Sequence, residues 1–262
     1  MKYKAVFFDI DGTLVPFGMH EVPASTREAI ARIREKGVKV FICTGRHIEW
    51  IDNIGDMEVD GYVTVNGAMC TLADKRTVIF TRPIPDGDLQ RLVSCGEQSG
   101  LVYVVVPKEG GIFINHTNRF VDDSRKLLRL PPIPEKPLES ALGHEIVQMM
   151  AFGPKELRGE SQQLFTEILT DCEPTSWNPL FCDIVPKGSD KGVGMRKMME
   201  HFGIPMEASV AFGDGDNDIA MLRGAGVGVA MGNAPQNVKD AADMVTDDVT
   251  CDGVAKALGK LF

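Results

Sequence analysis

Ala5-Val6-Phe7-Phe8-Asp9-Ile10-Asp11-Gly12-Thr13 is the stretch that decides how the rest of this chain is read. Its apolar run suits a strand buried on both faces, and it ends abruptly in two carboxylates and a glycine turn. Alternate residues of an extended chain point to one side, so Asp9 and Asp11 are expected to face a single spot. Two anions held there repel each other unless a cation sits between them, which points to a divalent metal. Magnesium suits hard carboxylate oxygens and completes its octahedron with water and phosphate oxygen, so the pair directs attention to phosphoryl chemistry.

Outward from this stretch the chain alternates strands and helices. Ser25-Thr26-Arg27-Glu28 fits a capping box, Ile30 and Ile33 have helical spacing, and Gly37 closes the segment before the strand Val38-Lys39-Val40-Phe41-Ile42-Cys43. Near the other end, Ala208-Ser209-Val210-Ala211-Phe212 reads as a strand, Asp218 to Arg223 as a helix and Val227-Gly228-Val229-Ala230-Met231 as a further strand. This alternation predicts an α/β fold with a parallel sheet covered on both faces, whose ligands sit at the carboxyl ends of the strands.

Between these halves the texture changes. Prolines at 83, 85, 107, 131, 132, 134 and 137 punctuate short runs such as Val102-Tyr103-Val104-Val105-Val106 and Gly111-Ile112-Phe113-Ile114-Asn115. Residues 83–185 are therefore expected to form an inserted α+β domain, and residues 1–82 and 186–262 the core. Thr81-Arg82-Pro83 and Ile184-Val185-Pro186 serve as its two linkers, each with a proline at a change of pattern.

At 262 residues and 44% hydrophobic the chain is large enough for two domains. Its net charge of −9 disfavours extended contact with nucleic acid or anionic lipid, which lysine and arginine excess would hold. A small anionic substrate remains compatible, because a bound metal reverses the local sign. The cysteines at 43, 70, 95, 172, 182 and 251 have neither pair nor histidine spacing and read as free thiols. The apolar run after Lys4 stops at Asp9, too short for a secretory leader, and no run approaches membrane-spanning length. The expectation is a cytoplasmic protein without nucleic-acid or membrane partners, its oligomeric state left open.

Three further polar features follow predicted strands or open predicted helices. In Thr44-Gly45-Arg46 a hydroxyl beside a glycine amide can hold a phosphate oxygen. Lys191 opens a helix whose Met195, Met198, Met199 and Phe202 form an apolar, core-packing stripe; a lysine in a first turn opposes the helix dipole and calls for an anion. Gly213-Asp214-Gly215-Asp216-Asn217-Asp218 again lies between strand and helix. Taken singly, each has an ordinary reading as a turn, a cap or a solvated residue. Together they gather Asp9, Asp11, Asp214 and Asp218 at one rim with Lys191 to oppose them, which strengthens the requirement for metal.

These four motifs, in order and at compatible spacing, resemble the haloacid dehalogenase (HAD) superfamily of phosphatases. Val65-Asn66-Gly67-Ala68, Gly228-Val229-Ala230-Met231-Gly232-Asn233-Ala234 and Asp252-Gly253-Val254-Ala255 are similar to its Cof-type sugar-phosphate phosphatase branch. The resemblance implies a Rossmann-like core with a type IIB cap that selects the substrate. It also implies that Asp9 attacks phosphorus to give an aspartyl-phosphate while Asp11 serves as general acid and then base. Mg2+ would take the Asp9 and Asp214 side chains and the Asp11 carbonyl, with Asp218 steadying the sphere, and Thr44, Gly45, Lys191 and Asn217 would hold the phosphoryl group. Asp216 is expected to be a solvated loop residue, with a ligand role as its alternative, and Arg46 a structural ion-pair partner, with substrate steering as its alternative. His20 and His201 have no ligand spacing.

The substrate so implied is a small phosphorylated metabolite, a hexose or other sugar phosphate. Trp177, Asn178, His116 and Asn118 are the insertion's candidates for a sugar pocket, although a core, turn or surface position is the stronger reading of each. The same residues would serve a phosphomutase or phosphotransferase that excludes water. A receiver-like phosphorylation switch also surrounds an aspartate with acids and a lysine, but it has no use for Asp11 or for a hundred-residue insertion.

Overall fold

The computed structural model describes residues 2–99, 101–128, 131–153, 163–175 and 181–262. It divides into two compact units: Met1–Phe80 with Asp190–Phe262, and Thr81–Ser189.

In the first unit β1 (Ala5–Phe8) lies between β2 (Lys39–Cys43) and β11 (Ser209–Gly213), parallel to both, with Phe7 level with Phe41 on one side and Ala211 on the other. The sheet continues from β11 through β12 (Val227–Ala230) to β13 (Met244–Val245), and from β2 through β3 (Gly61–Thr64) to β4 (Met69–Leu72) and β5 (Val78–Thr81). Every pairing from β13 to β3 is parallel, whereas β4 runs antiparallel to β3. The α/β class read from the sequence is therefore the fold observed.

Both faces of the sheet are covered. Val6, Phe8, Ile42, Val210 and Phe212 pack on one face with Ala29, Ile30 and Ile33 of the helix Ala24–Glu35 and with Val254, Ala257 and Leu258 of the helix Gly253–Leu261. Ala5, Phe7, Phe41 and Ala211 meet the predicted methionines Met195, Met198 and Met199 on the other. Phenylalanines from adjacent strands stack on each face, Phe8 on Phe212 at 5.0 Å and Phe7 on Phe41 at 4.7 Å between centroids. Because β1, β2 and β11 are parallel, the residues after each strand, Asp9, Thr44 and Asp214, emerge at one edge.

One local expectation is corrected. Helix Ala24–Glu35 starts after Pro23 with no side-chain cap, and Ser25 Oγ instead donates to Asp252 Oδ1 at 2.5 Å, so the capping box is absent. Proline already presets the backbone angle at the entry, and the serine is spent on a partner distant in sequence. The short run Gly111–Asn115 contributes a two-residue strand, Phe113–Ile114, because Gly110 and Gly111 both turn through positive φ.

The second unit is built on an antiparallel sheet in the order β7-β6-β8-β10-β9, where β6 is Val102–Pro107, β7 Phe113–Ile114, β8 Ile146–Phe152, β9 Cys172–Thr175 and β10 Phe181–Pro186. Tyr103, Val105, Met149 and Ile184 pack against Leu89, Leu92 and Val93 of the helix Asp86–Ser99 and against Phe165 and Leu169. All six cysteines are free thiols. Among the described residues no helix is long and apolar enough to cross a membrane.

Asp88 ties this unit together. Its buried carboxylate accepts the backbone N–H groups of Thr170 (3.1 Å), Asp171 (2.8 Å) and Cys172 (2.8 Å), the Thr170 hydroxyl, and Arg91 Nη1 at 2.6 Å. Burial alone would raise its pKa, but these donors outweigh it and hold the carboxyl down at about 2. Asp88→Asn is expected to cost about 2–4 kcal/mol in denaturant titrations, since it removes a charged acceptor and sets an amide N–H against donors. A depressed pKa stabilises the fold above the unfolded value near 4 and loses that effect as pH falls toward 2. The gap between wild type and variant should therefore close across that window, and a constant gap would refute the assignment.

Candidate active site

Asp190 fixes the position of Lys191. Its backbone is extended and its Oδ1 accepts the Val193 N–H at 2.7 Å, so the helix Lys191–Phe202 starts with the lysine in its first turn, aimed back over the sheet edge. Lys191 is fully buried, and its Nζ bridges Asp9 Oδ1 at 2.6 Å and Asp218 Oδ1 at 2.5 Å. The anion demanded by a first-turn lysine is thus supplied by protein carboxylates. The second oxygen of Asp218 accepts the N–H groups of Asp214 and Gly215, each at 2.9 Å, which folds the loop after β11 around it.

Asp9, Asp214 and Asp218 each offer an oxygen within 4.8 Å of the other two. Three buried carboxylates around one ammonium leave a net negative charge in a poorly solvated place. Burial first, then the Asp218 and Asp214 charges, push Asp9 well above the ordinary carboxylate range despite Lys191. Asp214 is pushed up to about 7 by burial and by Asp218, with the Thr13 hydrogen bond opposing. Lys191 loses solvation, yet the carboxylates of Asp218 and Asp9 hold its pKa above the usual lysine value. All the donors are hard oxygens and their charge is under-compensated, so the trio fits a divalent cation such as Mg2+.

Asp11 does not join them. The chain leaves the extended conformation at Ile10, whose carbonyl accepts the N–H groups of Thr13, Leu14 and Val15. Strand alternation therefore does not extend to Asp11, and its carboxylate is not one of the three clustered oxygens. The Asp11 carboxylate is held instead by Arg46, with Nε to Oδ2 at 2.7 Å and Nη2 to Oδ1 at 2.8 Å. Among the described residues, the backbone N–H groups of Asp11 and Gly45 donate to nothing, and both lie at the carboxyl edge of the sheet. Thr44 Oγ1 accepts the Arg46 N–H at 3.1 Å and keeps its own proton to donate.

Asn217 Nδ2 donates to Asn66 Oδ1 at 3.0 Å. Asn66 lies in a left-handed run, with Val65 at φ 54°, Asn66 at 50° and Gly67 at 89°. A β-branched residue in that region is strained, and such strain persists where the surroundings over-determine it. Here Val65 and Asn66 donate to the carbonyls of Arg46 and Thr44, and a Cβ on Gly67 would collide with the Asp190 carbonyl. Gly12, at φ 88°, is required for the same reason, since a Cβ there would strike the Asp214 carboxylate.

Sequence reasoning passed over several of these contacts. Thr13 Oγ1 donates to Asp214 Oδ1 at 3.0 Å, and Asn233 Nδ2 reaches both the Gly12 carbonyl (2.9 Å) and Asp214 Oδ2 (3.2 Å). Both were visible as members of quoted motifs but had no role legible from spacing. Asp190 could have been found as the N-cap before an apolar stripe. Asp216 is exposed and accepts from Asn237, as a loop residue would. In the second unit His116 is exposed and Asn118 Oδ1 accepts the Val121 N–H at the start of a helix, whereas Trp177 and Asn178 lie outside the described residues. His20 pairs with Asp52 at 3.4 Å.

A sequence model of the haloacid dehalogenase-like hydrolases matches residues 6–258. The chain belongs to this family. It is 31% identical over 271 residues to the pyridoxal phosphate phosphatase YbhA of Escherichia coli K12, covering 98% of this chain and 97% of that protein. The HAD subclass IIB sugar phosphatase BT4131 superposes with a TM-score of 0.89 at 38% identity, covering 98% of both chains. The phosphatase BT1666 from Bacteroides thetaiotaomicron superposes with a TM-score of 0.86 at 32% identity, covering 98% of this chain and 94% of that one. This family member is a phosphatase acting on phosphorylated small molecules.

Lys191→Met would leave Asp9 and Asp218 buried without their counter-charge. A loss of about 3–5 kcal/mol is expected at neutral pH, measured by chemical denaturation, and it should shrink on acidification as Asp9, whose pKa burial already raises, protonates. An unchanged denaturation midpoint would contradict the ion-pair reading.

Proposed function

We propose that the protein is a Mg2+-dependent phosphatase of a sugar phosphate or similar small metabolite ester, working through an aspartyl-phosphate on Asp9. The observation that carries this reading is the buried trio Asp9, Asp214 and Asp218 around Lys191, because it combines a nucleophile, an under-compensated cation site and a fixed positive charge. When bound by the Asp9 and Asp214 side chains and the Asp11 carbonyl, with Asp218 behind them, Mg2+ supplies charge neutralisation at the phosphoryl oxygens.

The chain's own residues do the rest. The Asp9 oxygen not engaged by Lys191 attacks phosphorus, and the ester P–O bond breaks as Asp11 delivers a proton to the departing alcohol. Asp11 then takes a proton from the water that hydrolyses the acyl phosphate, which returns Asp9 to a carboxylate and releases phosphate. Lys191, Thr44 and the free N–H of Gly45 hold the non-bridging oxygens, and Asn217, steadied by Asn66, completes the cradle. Residues 83–185 act as a cap that selects the alcohol. The sugar-phosphate class rests on the likeness to BT4131, a sugar phosphatase by name, whereas YbhA is named for pyridoxal phosphate, so the two define the ester panel to test first.

A phosphate-release screen over metabolite esters, run with Mg2+ and with chelator, tests the whole reading. Activity on sugar phosphates that is abolished by chelator is expected, and phosphate release indifferent to chelator would remove the metal from the scheme. Asp9→Asn should fall below detection, at least about 1,000-fold, and Asp11→Asn should be slowed about 100-fold or more. Hydrolysis of an ester chiral at phosphorus should proceed with retention of configuration, the outcome of two successive in-line displacements at phosphorus; inversion would exclude the covalent route. Transfer of phosphate to a second sugar without net release would favour the mutase, and an acyl phosphate stable for minutes would favour the switch.

A further inference from the structure

Arg46 is poorly placed to be an incidental ion-pair partner. It is 6% exposed at the carboxyl end of β2, where an unpaired guanidinium would be costly, and all of its side-chain donors that make contacts are committed to two acceptors. Nε and Nη2 form a two-pronged fork on the Asp11 carboxylate, at 2.7 and 2.8 Å, while Nη1 donates to the Trp50 carbonyl at 3.0 Å. The arginine backbone is fixed as well, since its N–H donates to Thr44 Oγ1 and its carbonyl accepts the Val65 N–H at 3.2 Å. The fork is therefore anchored at both ends, and its plane sets the plane and direction of the carboxylate it grips.

A general acid must present its proton along one line, to an oxygen whose place is set by the phosphorus under attack. Aspartate has two free side-chain torsions, and among the described residues Arg46 is the hydrogen-bond partner that restrains those of Asp11. The arginine occupies one lone-pair direction on each carboxylate oxygen, and a second lone pair remains on each. On the reading of Asp11 as acid and base given above, we infer that Arg46 is a positioning residue that aims the Asp11 carboxylate at the leaving-group oxygen. It touches neither phosphate nor metal in this role, and it acts through Asp11.

This role has a kinetic signature that a structural tie between two loops lacks. kcat/KM reports the steps up to departure of the alcohol, which is where the acid works. An ester whose leaving group departs easily as an anion needs little help from the acid, whereas a poor leaving group depends on it. The experiment compares p-nitrophenyl phosphate with phenyl phosphate for wild type, Arg46→Gln and Arg46→Lys, all with Mg2+, and measures inhibition by inorganic phosphate alongside. Arg46→Gln is expected to lower kcat/KM about 100-fold for phenyl phosphate and less than about five-fold for p-nitrophenyl phosphate, with Arg46→Lys between it and wild type. Inhibition by phosphate should change less than about two-fold, since a bound phosphate has no alcohol to protonate. In an Asp11→Asn background Arg46→Gln should add no further selective loss on phenyl phosphate.

Equal losses on both esters, or a selective loss that persists without the Asp11 carboxyl, would overturn the inference and leave Arg46 as a structural brace. Retention of the wild-type profile would overturn it too. If Arg46→Gln fails to fold, Arg46→Lys carries the same comparison, because an ammonium can pair with Asp11 but cannot grip it with a planar fork. Failure of the wild-type enzyme to hydrolyse either ester would sink the phosphatase reading itself, an outcome distinct from any of these.

Discussion

A single buried ammonium holds this molecule's chemistry in place. Lys191 Nζ lies between Asp9 and Asp218 with no exposure to solvent, and thereby joins the ends of β1 and β11 to the start of the helix Lys191–Phe202. Burying those charges apart would be prohibitive, so each element is held in register by the others' need for a partner. The same arrangement leaves an excess of negative charge beside the lysine, and that excess suits the cluster to a divalent cation.

Around this centre the acids have different tasks because they have different partners. Asp9 shares one oxygen with Lys191 and keeps the other; Asp218 spends both, on the lysine and on the loop amides; Asp214 is steadied by Thr13 and Asn233; and Asp11 is withdrawn from the cluster onto Arg46. Four carboxylates of similar intrinsic acidity are thereby placed in four different surroundings, and surroundings of this kind are how a fold separates groups that residue type alone cannot distinguish.

Much of this was legible before any coordinates. Apolar strands alternating with helical patterns specified a doubly covered parallel sheet, and the polar motifs after Phe8 and Cys43 and within Gly213–Asp218 marked its carboxyl edge. The methionine stripe read as core and is core. What failed was inference across a turn. Period-two alternation was extended one residue too far past Phe8, where Ile10 already closes three hydrogen bonds, and the capping box at Ser25 was displaced by a contact with Asp252 that lies 227 residues away. Local pattern cannot register a competitor that distant.

The sequence by itself determined the class of fold, the edge at which chemistry would occur and the acidic residues available there, because these follow from periodicity and from residue types next to strand ends. Tertiary structure alone decided which carboxylate meets which cation. Lys191 stands 182 residues from Asp9 and 27 from Asp218, Arg46 stands 35 from Asp11, and these pairings are set by sheet order, helix start and loop strain together. The left-handed Val65–Asn66–Gly67 run is a case in point, since no local preference would put valine there; hydrogen bonds to Thr44 and Arg46 and the close approach of Asp190 impose it.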